Sequence, residues 1–427
     1  MKNKLLIFVI LCLPISSIFS QERFTLSGYV TDQRNGESII GVNIYCKDLK
    51  KGVTSNTYGF YSLTLPKGEY EISFSYIGYK TQDYKLNLDR NISKNISFDV
   101  ESFTVGEIQV RGKANIVKNT QTSMIEIPIE QIKTIPALLG EVDIIKAIQL
   151  LPGVQSSEGT SGFYVRGGGP DQNLILLDGV PVYNASHIGG IFSVFNADAV
   201  KSVSLTKGGF PARFGGRLSS VLQIDMKEGN SKELKGDFTL GLVSSKFTIE
   251  GPIIKDKTSF IVSGRRTYID LIAAPFINGF NNESGTETDL VLYFYDLNAK
   301  INHKISKKNR VFLSAYTGRD KLGVDFAENY SDYQTNLNFG LGYGNITSTL
   351  RWNHLFNDKL FSNTTLSYSR YSFNTDFGVN SNYTENNETE TWDVNFGYIS
   401  GIEDLGARID FDYIPNPNHE IKFGLSY

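Results

Sequence analysis

The sequence predicts a mainly β protein: a small N-terminal β-sandwich, a mixed α/β unit, and then the first part of an antiparallel transmembrane β-barrel of about nine strands. Three observations predict it. Gly (40), Tyr (23) and Phe (28) are abundant beside 3 Met and 2 Cys, a mix that suits strands and turns. No stretch after residue 20 is apolar for the 18 or so residues that mark a membrane helix, so a chain that enters lipid must do so with strands. From Lys235 onward, segments alternate apolar and polar residues, and the connections between them sort into a short and a long set.

The first residues, MKNKLLIFVILCLPISSIFSQ, have the form of a secretory signal. Lys2 and Lys4 make a positive start, Leu5 to Leu13 a short apolar core, and Ser20 a small residue before a cleavage point at Gln21. Cys12 lies inside the apolar core behind Leu11, which is not small, so a lipoprotein signal fits less well. Removing residues 1–20 takes away two lysines and leaves 40 basic against 45 acidic residues, a net charge of −5. That balance argues against a nucleic acid partner. Only Cys46 is then left, which excludes an intrachain disulfide and a cysteine-based metal cluster.

Phe24 to Val100 reads as the sandwich. FTLSGYVTD alternates, GVNIYCKD supplies a second strand, and TSNTYGFYSLTLPKGEYEISFSYIGYK supplies strands broken at Gly59 and at Pro66-Lys67-Gly68. The elements GYVTD, GVNIY and GFYSLTLPKGEYEISFSYIGY resemble the carboxypeptidase regulatory-like domain. The segment has no histidine, so zinc peptidase chemistry has no obvious ligands there. Asn91 to Gln121 is polar and irregular apart from GEIQVRG, Gly106 to Gly112. This island reads either as one more edge strand or as a peptide that a partner captures by strand addition.

Glu126 to Glu228 reads as the α/β unit. In PALLGEVDIIKAIQLLPGV, Leu138, Val142, Ile145 and Ile148 fall near helical spacing between Pro136 and Pro152-Gly153. FYVRG, NLILLDG, VPVYN, VKSVSLTKGG and SVLQIDMK read as strands, and Asp178-Gly179 between apolar runs signals a hairpin. Arg166-Gly167-Gly168-Gly169 looks at first like a phosphate loop. A strand-like run, Asn173 to Leu177, follows it where a dinucleotide site needs a helix, and no Walker motif occurs. The glycines are therefore expected to serve positive φ or close backbone approach.

In YFYDLNAKIN, Tyr293, Tyr295, Leu297, Ala299 and Ile301 fall on one face, and Phe294, Asp296, Asn298, Lys300 and Asn302 on the other. ARIDFDYI sets Ala407, Ile409, Phe411 and Tyr413 against Arg408, Asp410 and Asp412, and IKFGLSY sets Ile421, Phe423, Leu425 and Tyr427 against Lys422, Gly424 and Ser426. Alternation alone also fits a water-soluble sandwich. The connections favour the barrel. IIKDKTS, KISKKNR, FNDK and PNPNH are short, whereas INGFNNESGTETD, DKLGVDFAENYSDYQTN and NTDFGVNSNYTENNETETWD are long and polar, as periplasmic turns and external loops would be. Because bacterial barrels close with even strand numbers, the chain is expected to be the front part of a longer protein.

The run LLPGVQSSEGTSGFYVRGGGPDQNLILLDGVPVYN and the run VKSVSLTKGGFPARFGGRLSSVLQIDMKEGN resemble the plug domain of TonB-dependent outer-membrane receptors, in order and spacing. With the regulatory-like domain in front, the likeness covers about residues 24–427 and extends to relatives of the SusC type. It implies Arg166, Gly167, Gly168, Asp178, Gly179, Gly215, Gly216 and Arg217 as plug-core positions with a structural role. It implies that VGEIQVRGK holds the TonB box, with Glu107, Ile108, Gln109 and Val110 coupling to the TonB protein. The domains expected are a signal peptide (1–20), the sandwich (21–101), TonB box and linker (102–125), plug (126–229) and partial barrel (235–427). The implied function is TonB-dependent uptake of a glycan, peptide or metal chelate across the outer membrane of a gram-negative bacterium, with the N-terminal domain in the periplasm. Outer-membrane lipid and a surface lipoprotein of the SusD type are the further partners. The alternative is an outer-membrane receptor for adhesion or signalling that does not transport.

No enzyme and no cofactor are expected. His187, His303, His354 and His419 are scattered without zinc spacing, and no G-x-S-x-G elbow occurs. Arg265-Arg266, near a strand end, either meets carboxylates of the plug or lies in an aqueous lumen. Phe280, Tyr330, Tyr333 and Tyr383 in the long polar stretches suit sugars and chelates equally.

Overall fold

The computed structural model describes residues 22–101, 123–135, 140–156, 162–284, 286–330, 333–385 and 388–427. The signal peptide and the TonB box, Glu107 to Val110, lie outside the described residues. The chain divides into two compact units, one made chiefly of residues 38–101 and the other chiefly of residues 102–413.

The first unit has eight strands: β1 (Arg23–Asp32), β2 (Asn43–Cys46), β3 (Lys51–Thr54), β4 (Phe60–Pro66), β5 (Gly68–Ser75), β6 (Gln82–Leu88), β7 (Ile92–Ser93) and β8 (Ile96–Phe98). They form two sheets, β4-β1-β7 with β8 also on β1, and β3-β2-β5-β6. The alternating residues of the sequence meet in one core of Leu26, Val30, Ile44, Leu63, Ile72, Phe74 and Phe98. Cys46 is buried there as a small apolar side chain. Tyr61 is fully buried, and its hydroxyl donates to the Lys94 carbonyl at 2.6 Å, so its polar end is satisfied.

The second unit begins with a plug built from β9 (Met124–Pro128), α1 (Ile129–Lys133), α2 (Ile144–Gln149), β10 (Val154–Ser156), β11 (Phe163–Val165), β12 (Asn173–Leu177), β13 (Val180–Pro181), β14 (Ser186–His187), β15 (Phe192–Ser193), β16 (Val200–Lys207) and β17 (Ser220–Met226). Its central sheet runs β13-β12-β17-β16-β9, with β12 and β17 parallel and the other pairs antiparallel. Ile132, Ile144, Ile145 and Ile148 of the helices pack on Leu177, Val203, Leu205, Leu222 and Ile224 of the sheet.

The described helix α2 is shorter than the apolar spacing from Leu138 suggests. Asp143 is extended (φ −113°, ψ 118°), and its carboxylate accepts from the Lys146 amide, so the helix is capped there.

Two turns of the plug follow from glycine. Asp178 (φ 47°) and Gly179 (φ 79°) link Leu177 to its partner Val180, the two positive angles of a type I′ hairpin. Arg166 (φ 49°) and Gly167 (φ 87°) repeat the pattern between Val165 and Gly168. Gly168 answers a different need, because a Cβ there would sit 2.4 Å from the Ser219 Cβ.

Nine strands follow: β18 (Lys235–Leu240), β19 (Ser244–Ile254), β20 (Thr258–Thr267), β21 (Thr286–Ser306), β22 (Asn309–Asn329), β23 (Tyr333–Asn357), β24 (Leu360–Glu385), β25 (Glu388–Asn416) and β26 (His419–Ser426). They form one antiparallel sheet in sequence order, a wall that the plug packs against. The four short connections turn as expected, at 255–257, 307–308, 358–359 and 417–418.

The long polar stretches differ from expectation. The segment around INGFNNESGTETD is mostly the helix α3 (Ile269–Ser284), and the other two are the continuations of strand pairs. Strands β21 to β25 have 21 to 29 residues, about twice the roughly 9–11 that cross a bilayer. The strands thus run on past the length a bilayer needs, and in their outer parts the outward face turns polar, with Asp289 opposite Asp325.

Burial decides between barrel and soluble sandwich. Asp296, Asn298, Lys300 and Asn302 are at most 5% exposed, whereas Leu297 and Ile301 on the other face are 43% and 41% exposed. The polar face is inside and the apolar face outside, as lipid requires.

A Gly168→Ala substitution should destabilise the plug by roughly 1–3 kcal/mol through overpacking. Ser219→Gly should recover part of the loss by removing the opposing Cβ. Thermal unfolding of the single and double variants in detergent measures both effects.

Candidate functional site

The plug and the wall have different chemistry where they meet. Among the described residues the main core of the plug takes only Tyr316 from the wall, so the plug packs chiefly on itself. The junction between the two is mainly charges and hydrogen bonds, with Phe294 of the wall packed on His187 and Phe192 of the plug, and three clusters carry it.

The first cluster closes on the Asp178-Gly179 turn. Lys300 of β21 reaches 3.1 Å from the Asp178 carboxylate and donates to the Met226 carbonyl at 3.0 Å. The Met226 amide donates to the same carboxylate at 3.0 Å, and Arg351 of β23 donates to the Asp178 carbonyl at 2.6 Å. Burial opposes the charge of Asp178. Lys300 and Arg351 outweigh that opposition, and the carboxyl stays below its ordinary pKa.

The second cluster surrounds His187. The ring sits 2.8 Å (Nε2) from Asp296 of β21 and 2.5 Å (Nδ1) from Asp320 of β22, and it stacks on Phe294 with centroids 4.0 Å apart. Its side chain is 2% exposed, and those of the two aspartates 0% and 7%. Both ring nitrogens can donate only in the imidazolium form. Burial works against that charge, yet the two carboxylates prevail and raise the imidazole above its ordinary value. Arg265 of β20 grips Asp296 at 2.6 and 2.9 Å, donates to the Ser193 carbonyl at 2.7 Å, and lies 3.6 Å from Glu141 of the plug. The Tyr316 hydroxyl donates to Asp296 at 2.8 Å, and the Tyr343 hydroxyl accepts from the Gly189 amide at 2.9 Å.

The third cluster lies at the plug's last strand. Glu228 pairs with Lys201 of the plug at 3.0 Å and with Arg310 of β22 at 3.4 Å. Burial raises the Glu228 pKa, and the two cations more than reverse it, to about 2. Outside these clusters, Tyr183 donates to Asp404 at 3.0 Å, Ser369 to the Pro181 carbonyl at 2.7 Å, and Asn196 to Ser263 at 2.7 Å.

The positions singled out in the sequence divide. Asp178 is buried, Gly179 abuts Arg351, and Gly168 packs on Ser219. Arg166 and Gly167 are exposed in a turn, Gly215 and Gly216 are exposed in the loop before β17, and Arg217, half-buried, donates to the Gly216 carbonyl at 2.7 Å. Of the two options for Arg265-Arg266, Arg265 faces the plug carboxylate and Arg266 faces outward, its side chain 47% exposed. Sequence reasoning missed His187, Lys300, Asp320 and Arg351 as junction residues. The partners of His187 lie 109 and 133 residues away, so no local spacing marks them. Among the described residues no group of three or more His, Cys, Asp or Glu is placed to hold a metal ion.

Residues 26–110 match the model of the CarboxypepD_reg-like domain, and residues 117–220 match that of the TonB-dependent Receptor Plug Domain. TonB-dependent receptor P3 of Formosa agariphila is 26% identical over 244 residues, 54% of this chain and 23% of that protein. TonB-dependent receptor P39 of the same organism is 26% identical over 361 residues, 80% of this chain and 32% of that protein.

The chain carries the regulatory-like and plug domains of TonB-dependent receptors.

It spans about a quarter to a third of the length of these two relatives. Among solved structures, the siderophore receptor PirA from Acinetobacter baumannii is 15% identical with a TM-score of 0.36, covering 72% of this chain and 61% of that one.

Two variants test the receptor's junction. Asp178→Asn keeps a residue that tolerates positive φ but strands Lys300 as a buried, unpaired cation. The cost expected is about 3–5 kcal/mol, read by thermal unfolding in detergent. The second test concerns pH. The folded pKa of His187 is raised above its unfolded value of about 6.5. Its contribution is therefore fully present below about pH 6.5 and is lost as pH rises through the folded value. Proteolysis of the plug should accelerate above that value in the native receptor, and His187→Gln should flatten the profile.

Proposed function

We propose that the receptor takes up a nutrient (a glycan, a peptide or a metal chelate) across the outer membrane, with the plug gating a β-barrel and the TonB protein supplying the work. The observation that carries this reading is the junction. The plug has its own apolar core and meets the wall mainly through charges and hydrogen bonds, contacts that water can replace when the plug moves. A support built into the wall would share its core. A movable stopper needs a core of its own.

On this reading, residues 1–20 are a signal peptide, residues 21–101 a periplasmic domain, residues 126–229 the plug and residues 235–427 barrel wall. Glu107, Ile108, Gln109 and Val110 form the segment that TonB captures by strand addition and pulls. The eight plug positions from Arg166 to Arg217 hold the stopper's turns rather than the substrate. Tyr333 faces Tyr383 across the β23–β24 pair and Tyr330 is 61% exposed, which offers aromatic surface to a sugar ring or a chelate. A SusD-type surface lipoprotein is the further partner that suits a glycan or peptide cargo.

Deleting residues 106–111 from the native gene tests the coupling. Uptake should fall to background while cargo binding to whole cells stays unchanged. Uptake at the wild-type rate would overturn coupling through this segment and leave adhesion or signalling as the function.

A further inference from the structure

The two faces of the wall exchange character along its length. Towards the short turns, Leu297 and Ile301 face outward while Asn298 and Lys300 face inward. Towards the hairpin ends of β21 to β25 the pattern reverses. One inward row runs Leu290, Val324, Phe339, Phe377 and Phe396, each paired with the next. The inward row below it is Leu292, Leu322, Leu341, Thr375 and Tyr398. The inward row above it is Thr288, Phe326, Leu337, Val379 and Val394. Only Thr288 and Thr375 interrupt these rows, which are otherwise aliphatic or aromatic. The neighbouring outward row is Asp289, Asp325, Asn338, Gly378 and Asn395. Lipid selects apolar residues that face it, so an apolar face turned inward has another cause.

The face begins where the plug ends. The next inward row down includes Phe294 and Tyr343. Phe294 stacks on His187 and lies 5.7 Å from Phe192, and the Tyr343 hydroxyl accepts from the Gly189 amide at 2.9 Å. Ile191, in the same plug segment, is 41% exposed. The apolar rows therefore continue the plug–wall junction towards the hairpin ends. Phe339, Phe377 and Phe396 of the first row are 36%, 39% and 60% exposed, so a molecule arriving from the hairpin side can reach them.

Charge and hydrogen bonding select among cargoes. Beyond the His187 level, the inward positions of β21 to β25 carry no Lys, Arg or His among the described residues. Their charges are the carboxylates Glu328, Glu385, Glu388 and Glu390 near the hairpin tips. An anionic chelate would meet like charge and no cation. A glycan would lose water from its hydroxyls against rows that offer few partners. Thr375 is already committed, its hydroxyl donating to the Gly340 carbonyl at 2.9 Å. Apolar side chains gain from the same surface. Five strands about 4.8 Å apart make the face about 19 Å wide, the reach of an extended peptide of roughly six residues.

We infer that this face is a cargo site, and that its cargo is a peptide with apolar side chains and no net negative charge. The peptide lies across the hairpins, against the rows centred on Phe339 and Phe377. The inference rests on the uptake reading above and narrows its three cargo classes to one.

The test uses the native receptor in lipid nanodiscs, with binding to receptor-free discs subtracted. The probe is a dansyl-labelled peptide, Ala-Leu-Val-Phe-Leu-Lys, read by fluorescence anisotropy against the polar analogue Ala-Ser-Ser-Ser-Ser-Lys. The apolar peptide should bind wild type at least about tenfold more tightly than the analogue. The Phe339→Ser, Phe377→Ser, Phe396→Ser triple variant should lose that preference. The Phe339→Leu, Phe377→Leu, Phe396→Leu triple variant should keep the affinity within about threefold, because the face stays apolar. Asn338→Ala with Asn395→Ala, on the outward face of the same strands, should leave it unchanged. The heat-modifiable gel shift of a folded barrel confirms that each variant is folded. Equal binding of the two peptides by wild type overturns the site without any variant, as does wild-type affinity in the folded serine variant. Loss of binding in the folded leucine variant, or displacement of the apolar peptide by maltohexaose, gives the rings to a glycan and overturns the peptide. Displacement by ferric citrate overturns it in favour of a chelate. Uptake by cells separates the two readings. A receptor that accumulates maltohexaose or ferric citrate and ignores the apolar peptide overturns the peptide class alone. A receptor that binds the peptide on this face and accumulates nothing supports the site and overturns transport.

Discussion

A charge removed from water must find a partner, and the junction between plug and wall is organised around that constraint. Asp178, His187, Glu228, Arg265, Asp296 and Lys300 are all buried, and each is met by an opposite charge. Buried ion pairs add little net stability, because desolvation offsets their attraction. They do penalise a wrong arrangement severely. The plug is therefore held in one position more by specificity than by apolar adhesion.

This division of labour explains the rest of the architecture. Beside the plug the wall turns most of its aliphatic residues outward, and its inner face offers the plug a few aromatic rings, such as Phe294 against His187 and Phe192, among polar side chains. The plug must then supply its own core, which it does from the isoleucines of α1 and α2 and the strands of its sheet. A stopper with its own core keeps its fold while its outer contacts are exchanged for water. In a shared core the same movement would expose apolar surface. The type I′ turn at Asp178-Gly179 shows how local geometry serves the junction. Its positive φ angles leave the Asp178 carbonyl accepting from Arg351 of the wall while the carboxylate meets Lys300.

Features with local causes were legible in the sequence. The Asp-Gly hairpin, the strands of the plug and the four short turns each depend on neighbouring residues. Even strand number and face assignment in the wall followed from period-two alternation. The helix α3 was hidden because INGFNNESGTETD reads as a polar loop while the helix begins earlier, at Ile269. The long extensions of the strand pairs were hidden because apolar and polar residues exchange faces along them, so no single alternation runs the length of a strand. Asp143 before the Ile-Ile pair was a usable cap signal that the apolar spacing from Leu138 obscured. The His187 cluster had no signal at all, since its partners come from strands more than a hundred residues away.

The central claim is that the plug must move against the wall for cargo to pass. Asn196 of the plug and Ser263 of β20 touch at 2.7 Å, which places a tether within reach. Replacing both by cysteine, in a Cys46→Ser background, allows the plug to be locked by oxidation and released by reduction. The measurement is cargo uptake by cells carrying this variant before and after a reductant. Uptake abolished by oxidation and restored by reduction is the predicted result. Wild-type uptake through a receptor with a quantitatively formed tether would contradict the account.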